Sequence, residues 1–483
     1  MNTAQPTVWT GTVSDEQQAK VPWVVGVALV LGVFLWMGPY MGVNVVLLPA
    51  KTALLAGDGK ASVVAVLSTS AMIVAAIANI VFGALSDLTR SRFGRRSPWI
   101  IGGSVLAAAA MMFVSWAPTV PLLIVGWCVY QCFLNAIVAP LIAVITDRTA
   151  PKFRGTISAM YALGYSVGIY GGQMIGARFL TDQSMGFTVL AVLTLIGGPL
   201  AALIMREGSS LAMPRKRFTA QMFWEHFSFP TRHCRDYYLA LFGKFLIVAA
   251  KFAISGFQLY ILTDYMMQSA DGAKHYVSVI SMCMMVTAIA MTVIAGPISD
   301  RIGSRKIPVI ACSLLVAVGS IIPFFSNDPK MMIAYALVAG TGMGAYNAVD
   351  QALNVEVLPS KDTAAKDLGI LNLANTGGQV LGPVLAATLI NMFGYHALFP
   401  LAAVCSLLGA LSQGQAARES LLSIVLFPLI IPILLAGIRV CAGGFSEALP
   451  EGVESWLGIA VAFDAVFLAA GLVLFPFVFS GDE

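Results

Sequence analysis

From Trp23 onward, apolar runs of about 20 residues alternate with short polar breaks, fourteen times over. A run of that length is what an α-helix needs to cross the hydrocarbon of a bilayer, where it satisfies its own backbone groups. The runs fall at 23–50, 61–85, 99–117, 121–146, 155–180 and 186–205, then at 236–262, 275–298, 308–326, 331–358, 369–393 and 396–412. Two more follow at 420–441 and 456–480. Composition agrees: 58% of the 483 residues are hydrophobic and only 11% are charged, against about 25% charged in a soluble domain. Such a chain cannot cover itself with a hydrated surface, so an all-α integral membrane protein in a lipid bilayer is expected. Residues 1–22 are polar and lack the pattern of a cleaved leader, which predicts a cytoplasmic tail.

The breaks carry the charge. Arg90, Arg92, Arg95 and Arg96 follow the second run, and Arg148, Lys152 and Arg154 follow the fourth. The long break at 206–235 holds Arg206, Arg215, Lys216, Arg217, Arg232 and Arg235, and Arg301, Arg305 and Lys306 follow the eighth run. Alternate breaks hold one or two basic residues each, among them Lys51, Lys60, Lys274 and Lys330. Cytoplasmic loops collect Lys and Arg, so the amino terminus and the 206–235 loop are expected inside. The net charge of +4 is split among separate loops and makes no nucleic-acid surface. The seven cysteines show no paired zinc spacing, and neither a metal site nor a cofactor is expected.

One motif occurs twice. Gly83-Ala-Leu-Ser86-Asp87 is echoed by Gly296-Pro-Ile-Ser-Asp300, and Asn135-Ala136 by Asn347-Ala348. Each copy follows the second run of a set of six. Two six-run halves, 23–205 and 236–412, joined by a long loop, form a parallel repeat of the kind used by secondary transporters. The segment Gly83 to Arg96, with Ser86, Asp87, Arg90, Gly94 and Arg95, resembles the loop signature of the major facilitator superfamily. The resemblance implies a twelve-helix fold, alternating access and no enzymatic step. It also implies a gating role for this loop, for Asp300 and Arg301 in the second copy, and for Asp147 and Arg154 after the fourth run. A capping role for Asp147 and Arg154 is equally open. The family has Arg directly after the Asp; here Leu88 stands there, so Arg90 is expected to replace it or the latch to be weaker.

Within that superfamily, Ser91-Arg-Phe-Gly-Arg-Arg-Ser-Pro-Trp99 is similar to the sugar–cation symporters of the glycoside–pentoside–hexuronide and sucrose-transporter-like groups. Asp367, Asn372, Asn375 and Gln379 point the same way. This implies proton-coupled symport of a sugar or glycoside by a monomer in a bacterial plasma membrane. A drug or metabolite exporter of the same superfamily is the alternative.

Polar side chains inside a bilayer are costly and face a cavity or a partner helix. The third, sixth and ninth runs carry no Asp, Glu, Lys, Arg, Asn or Gln, and the twelfth none before its cytoplasmic end. Every third helix is therefore expected to be an outer support. Candidate substrate contacts are Tyr40 and Asn44 on the first run, Gln131 and Asn135 on the fourth, and Tyr161 and Gln173 on the fifth. Lys251 on the seventh run, Asn347 and Asn354 on the tenth, and Asn372, Asn375 and Gln379 on the eleventh complete them. Trp36, Tyr165, Tyr170 and Tyr346 add rings able to stack on a sugar. Asp350 and Lys244 lie at similar depth, about 12 Å inside their runs at 1.5 Å per residue. A carboxylate in a low-dielectric cavity suits a proton carrier, which makes this pair the candidate coupling site. A static ion pair holding two helices is the other reading. Gly164, Gly168, Gly171, Gly172 and Gly176 suit close helix contact. Gly164-Tyr-Ser166-Val-Gly168 matches a hydrolase nucleophile pattern but lies inside an apolar run, without the strand–turn–helix such a nucleophile needs.

From about Gln415 the character changes. Arg418-Glu419, Leu426-Phe-Pro428, Trp456-Leu and Ala462-Phe-Asp464 resemble the last two helices of the membrane component of the haem exporter used in cytochrome c maturation. Residues 413–483 are thus expected to add two transmembrane helices, either as a fusion or as a pair of accessory helices whose likeness is accidental. A haem-export component or an inactive fusion are the functional readings this tail suggests.

Overall fold

The computed structural model describes residues 13–211, 234–302, 306–357 and 364–415. All regular structure among them is helical. The first half holds α1 (Trp23–Gly42), α2 (Lys60–Leu88), α3 (Ser97–Trp116), α4 (Val120–Arg148), α5 (Arg154–Arg178) and α6 (Gln183–Met205). The second holds α7 (Arg235–Ser255), α8 (Ala270–Ile302), α9 (Lys306–Ile321), α10 (Lys330–Glu356), α11 (Ala364–Phe393) and α12 (Leu398–Gln415). The ends carrying Arg90–Arg96 and Arg148–Arg154 are called inner here, following their basic loops.

The first and seventh helices are lengthened at their outer ends by the same device. α1 passes through a π-turn at Val43–Leu47 into a short helix at Leu48–Ala56. α7 breaks at Gly256 and Phe257, then continues as Gln258–Tyr260 and a π-turn at Ile261–Tyr265. Single π-turns of this kind often mark functional positions in helices.

Packing repeats as the sequence does. In the first half α1 packs on α5 and α6, α4 on α2 and α3, and α3 on α6. In the second half α7 packs on α11 and α12, α10 on α8 and α9, and α9 on α12. Advancing every helix of the first set by six gives the second. The halves meet along α2–α11 and α5–α8, two contacts that the same operation exchanges. α3, α6, α9 and α12 stay out of these main seams, as the distribution of polar residues predicts. The α1–α5 contact is backbone to backbone: a Cβ on Gly172 would strike the carbonyl of Gly38, the close approach small residues permit between membrane helices.

Among the described residues, nine helical stretches are long and apolar enough to cross a membrane, and one of them, Trp23–Leu88, contains two crossings. α5 and α10 fall outside that set. α5 carries six glycines, and α10 carries Asn347, Asp350, Gln351 and Asn354; they show that a helix lining the protein interior need not be apolar throughout. Residues 212–233 of the central loop, and the segment from residue 416 for which the sequence suggested two haem-exporter-like helices, lie outside the described residues.

Candidate functional site

On α10, Tyr346, Asp350 and Asn354 recur every four residues and so share one helix face. That face points at α7. Lys244 Nζ lies 2.8 Å from Asp350 Oδ2, and both residues are 3% exposed. Asn354 Nδ2 donates to the same oxygen at 2.9 Å, and the Tyr346 hydroxyl donates to Oδ1 at 2.9 Å. Gln413 of α12 donates in turn to the Tyr346 oxygen at 2.8 Å. A buried carboxylate is tolerable only when paired and hydrogen-bonded, and this one is both. Tyr346, read from the sequence as a sugar-stacking ring, is instead committed to Asp350. Gln413 was missed, because its position at the inner end of an apolar run suggested solvent; the structure buries it completely.

A cavity lies between the halves, outward of this pair. Gln173 and Tyr170 of α5 line it, with Met41 and Val45 at the π-turn of the first span. From the second half come Lys251, Phe252, Ser255 and Gln258, with Met284 of α8 and Tyr335, Ala339 and Met343 of α10. Val316 and Ser320 of α9 also reach it, so α9 is not purely an outer support as the sequence suggested.

Only Gln173 and Lys251 of the candidate substrate contacts line this cavity, and only Tyr170 of the added rings. Tyr40 is buried and stacks on Trp127, ring centroids 6.0 Å apart. Trp36 meets Tyr165 edge to face, and Tyr161 stacks on Tyr165. Asn135 accepts from Asn79 at 3.0 Å and donates to the Gln131 carbonyl, tying α2 to α4. Gln131 is buried on α4, away from the lining. Asn354 belongs to Asp350. Asn44 is half-buried on the π-turn, and Asn375 and Gln379 are half-buried on α11, all off the lining. Asn347 is exposed, one turn inward of Met343 on the row that carries Tyr335 and Ala339. The side chain of Asn372 is outside those described.

The halves are joined toward their outer ends. Lys60 of α2 pairs with Asp264 of the second half at 2.5 Å, and the Tyr395 hydroxyl donates to the same carboxylate oxygen at 2.9 Å. The Tyr260 hydroxyl donates across the seam to the Pro49 carbonyl at 2.8 Å, and Asn391 Nδ2 donates to Ser62 Oγ at 2.9 Å. Ser281 of α8 donates to Gln173 Oε1 at 3.1 Å, a further bond between the halves beside the cavity that Gln173 lines.

At the inner end, Asp87 and Asp147 meet Arg95 and Arg96. Arg96 donates to Asp147 at 2.8 Å, Asp87 at 2.5 Å and Ser86 at 2.5 Å. Arg95 donates to Asp147 through Nε at 3.1 Å and lies 3.7 Å from Asp87. This corrects one expectation. Arg90 does not stand in for the missing arginine after Asp87; Arg96 does, while Arg90 reaches the Leu211 carbonyl. Arg154 donates to the Thr149 and Thr146 carbonyls at the end of α4, the arrangement of the capping role left open beside gating. Among the described residues, the partners of Asp87 all lie in the first half, where the box fastens α2, α3 and α4 together. Gly83 sits in this last stretch of α2, facing Ala139 of α4. In the second copy Arg301 is exposed, and the side chain of Asp300 is outside those described.

Glu207 was also missed. Its carboxylate accepts from the backbone N–H of Arg95, Arg96 and Ser97 at 2.8 to 3.1 Å and from the Ser97 hydroxyl at 2.9 Å. It therefore caps the amino-terminal turn of α3 from the far end of the half, as a carboxylate at a helix N-terminus does. Gly94, at φ +90°, gives it room, because a Cβ there would collide with the Glu207 side chain.

The model of the Major Facilitator Superfamily matches this chain twice, over residues 29–250 and 240–481. A bacillibactin exporter of Bacillus subtilis is 30% identical over 125 residues, 25% of this chain and 31% of that protein. A triacylglyceride transporter of Mycobacteroides abscessus is 32% identical over 106 residues, 22% of this chain and 20% of that protein. The matched segments thus span a third or less of either relative. Among solved structures, a bacterial homologue of the human lysosomal transporter Spinster, inward-facing and unoccupied, shares the fold at a TM-score of 0.63 and 16% identity. It covers 83% of this chain and 98% of that one. A peptide transporter, POT, does so at a TM-score of 0.65 and 14% identity, covering 85% of this chain and 97% of that one. Twelve helices in two interchangeable sixes, a cavity at their seam and a family match across both halves agree: the chain is a multi-pass membrane transporter, not an enzyme, and belongs to the major facilitator superfamily.

Proposed function

We propose that this chain is a proton-coupled secondary carrier in which Asp350 exchanges the coupling proton, and that it moves a small amphiphilic solute through the cavity at the seam of the halves. The observation that carries the reading is the buried Lys244–Asp350 pair. As an ion pair it is neutral overall. A proton on Asp350 would leave the Lys244 ammonium buried and uncompensated, a change of one full charge at the packing contact of α7 and α10. In a low-dielectric interior such a change is large compared with the energy that separates two packings of a bundle. Alternating access needs a bistable element of this kind.

Two lines bear on the solute. The Ser91–Trp99 motif supports a sugar or glycoside. The lining supports a more apolar body, because Met41, Met284 and Met343 are flexible, polarisable side chains that adapt to irregular apolar shapes. The lining weighs more, since it is the surface a solute would touch, and the two curated relatives, which carry lipophilic cargo in one case and are exporters in the other by name, agree with it. A bacterial plasma membrane fits either solute.

Reconstituted carrier tests the coupling. Asp350→Asn is expected to lose accumulation driven by a pH gradient while still exchanging labelled solute across the membrane. Lys244→Gln combined with Asp350→Asn guards against loss of folding, because it leaves no unpaired charge. Full pH-driven accumulation by the Asn variant would assign the pair a purely structural role.

A further inference from the structure

Helix α7 carries two lysines toward the interior, and their circumstances differ. Lys244 has Asp350. Lys251 lies seven residues further out, about 10 Å along the helix at 1.5 Å per residue, and lines the cavity. Among the described residues no carboxylate lies within ion-pair distance of it. The Lys251 ammonium sits 5.5 Å from the centre of the Phe252 ring.

A second donor points the same way. Gln258 lines the same cavity and is 5% exposed, yet its Nε2 has no hydrogen-bond partner among the described residues. A buried amide N–H left unpaired costs about 1–3 kcal/mol, so its position calls for an acceptor that arrives from outside the protein. Ser255 lies between the two in sequence and lines the cavity as well. Lys251 and Ser255 lie one turn apart on the same face of α7, and Gln258 follows just beyond the break at Gly256 and Phe257, where it lines the same cavity. An ammonium, a hydroxyl and an amide N–H thus face a cavity whose remaining wall is largely apolar, with Tyr170, Phe252, Tyr335 and three methionines in it.

We propose that Lys251, Ser255 and Gln258 form the binding subsite for the carboxylate head of an amphipathic organic anion, whose apolar body lies against Tyr170, Tyr335 and Met343. The proposal rests on the cavity being the solute path and names the solute's charge. The chemistry is direct. A carboxylate accepts from all three donors, supplies the counter-ion that Lys251 lacks, and removes the cost of leaving Gln258 unpaired. A neutral sugar would satisfy the amide and the hydroxyl but would leave the ammonium uncompensated.

The probes are naphthoate and its neutral amide, naphthamide, applied to the purified full chain, with affinity read from the ligand-dependent shift of thermal unfolding. Charge-assisted hydrogen bonds contribute about 1.5–3 kcal/mol, so the acid is expected to bind at least about tenfold more tightly than the amide. Lys251→Met should abolish the difference, and Lys251→Arg should keep most of it. Gln258→Leu should weaken the acid without removing the preference. Equal binding of acid and amide by the unaltered chain, failure of the acid to bind, or a preference that survives Lys251→Met would each overturn the subsite. Asp350→Asn separates this from the coupling reading. That variant should keep the acid-over-amide preference in detergent whether or not it still accumulates solute against a pH gradient.

Discussion

Lys60 Nζ of the first half lies 2.5 Å from Asp264 Oδ2 of the second, and both side chains remain partly exposed. The same ammonium stands 4.9 Å from the centre of the Tyr260 ring, whose hydroxyl bonds the Pro49 carbonyl across the seam. These contacts close the outer side, and they must part for the cavity to open outward. Partly exposed ion pairs contribute about 0.2–1 kcal/mol, so Lys60→Ala alone should raise the outward-open population by up to about fivefold. In a background freed of native cysteines, a cysteine at position 281, beneath this closure, should react correspondingly faster with a membrane-impermeant thiol reagent. The charge-reversed pair Lys60→Asp with Asp264→Lys should restore the slow rate. No change in rate in the single variant would show that the ion pair is irrelevant to gating.

Removing one member of the buried pair should cost more than removing both. Lys244→Met leaves Asp350 buried without its cation, for which about 3–5 kcal/mol of destabilisation is typical. Lys244→Met with Asp350→Asn leaves no charge and should recover most of that loss. Thermal unfolding of the three proteins in detergent measures it, and a double variant no more stable than the single would contradict the pairing.

Glu207 holds the inner loop to the start of α3 through four donors. Glu207→Ala should destabilise the first half by about 1–2 kcal/mol, the range for loss of a helix cap. Gly94→Ala should cost at least as much, because it introduces a side chain at φ +90° and pushes it into Glu207. Protease sensitivity of the 89–97 loop should rise in both, and unchanged sensitivity would argue against the cap.

α12 runs through Gln415 and packs on α7 and α9 as α6 packs on α1 and α3. A chain ending after Arg418 keeps each of these contacts, including Gln413 to Tyr346. It should fold and retain naphthoate-dependent stabilisation within a few degrees of the full chain. Loss of folding would show that residues beyond 418 have become structural.

How much was legible in the sequence follows from what each feature depends on. The crossings could be counted because transfer of a residue into hydrocarbon is a property of that residue and its near neighbours. Runs as apolar as 99–117 declare themselves, and so does the sign of the loops around Arg90–Arg96. The repeat was legible from the Asp87 and Asp300 motifs, and Lys244 and Asp350 stood out because charge inside a run is rare.

The tertiary structure alone decided which way those side chains face and whom they meet. A helix that is apolar all round has no polar face to reveal its orientation. Nothing local therefore distinguished Tyr170, which lines the cavity, from Tyr40, which packs on Trp127. Nor did spacing show that Asp147 would take Arg95 and Arg96, since the pairing depends on three helix ends meeting at one corner of a bundle. Lys244 and Lys251 look alike in the sequence. Only the arrival of α10 beside the first, and of the open seam beside the second, gives one a carboxylate and leaves the other facing the cavity without one among the described residues.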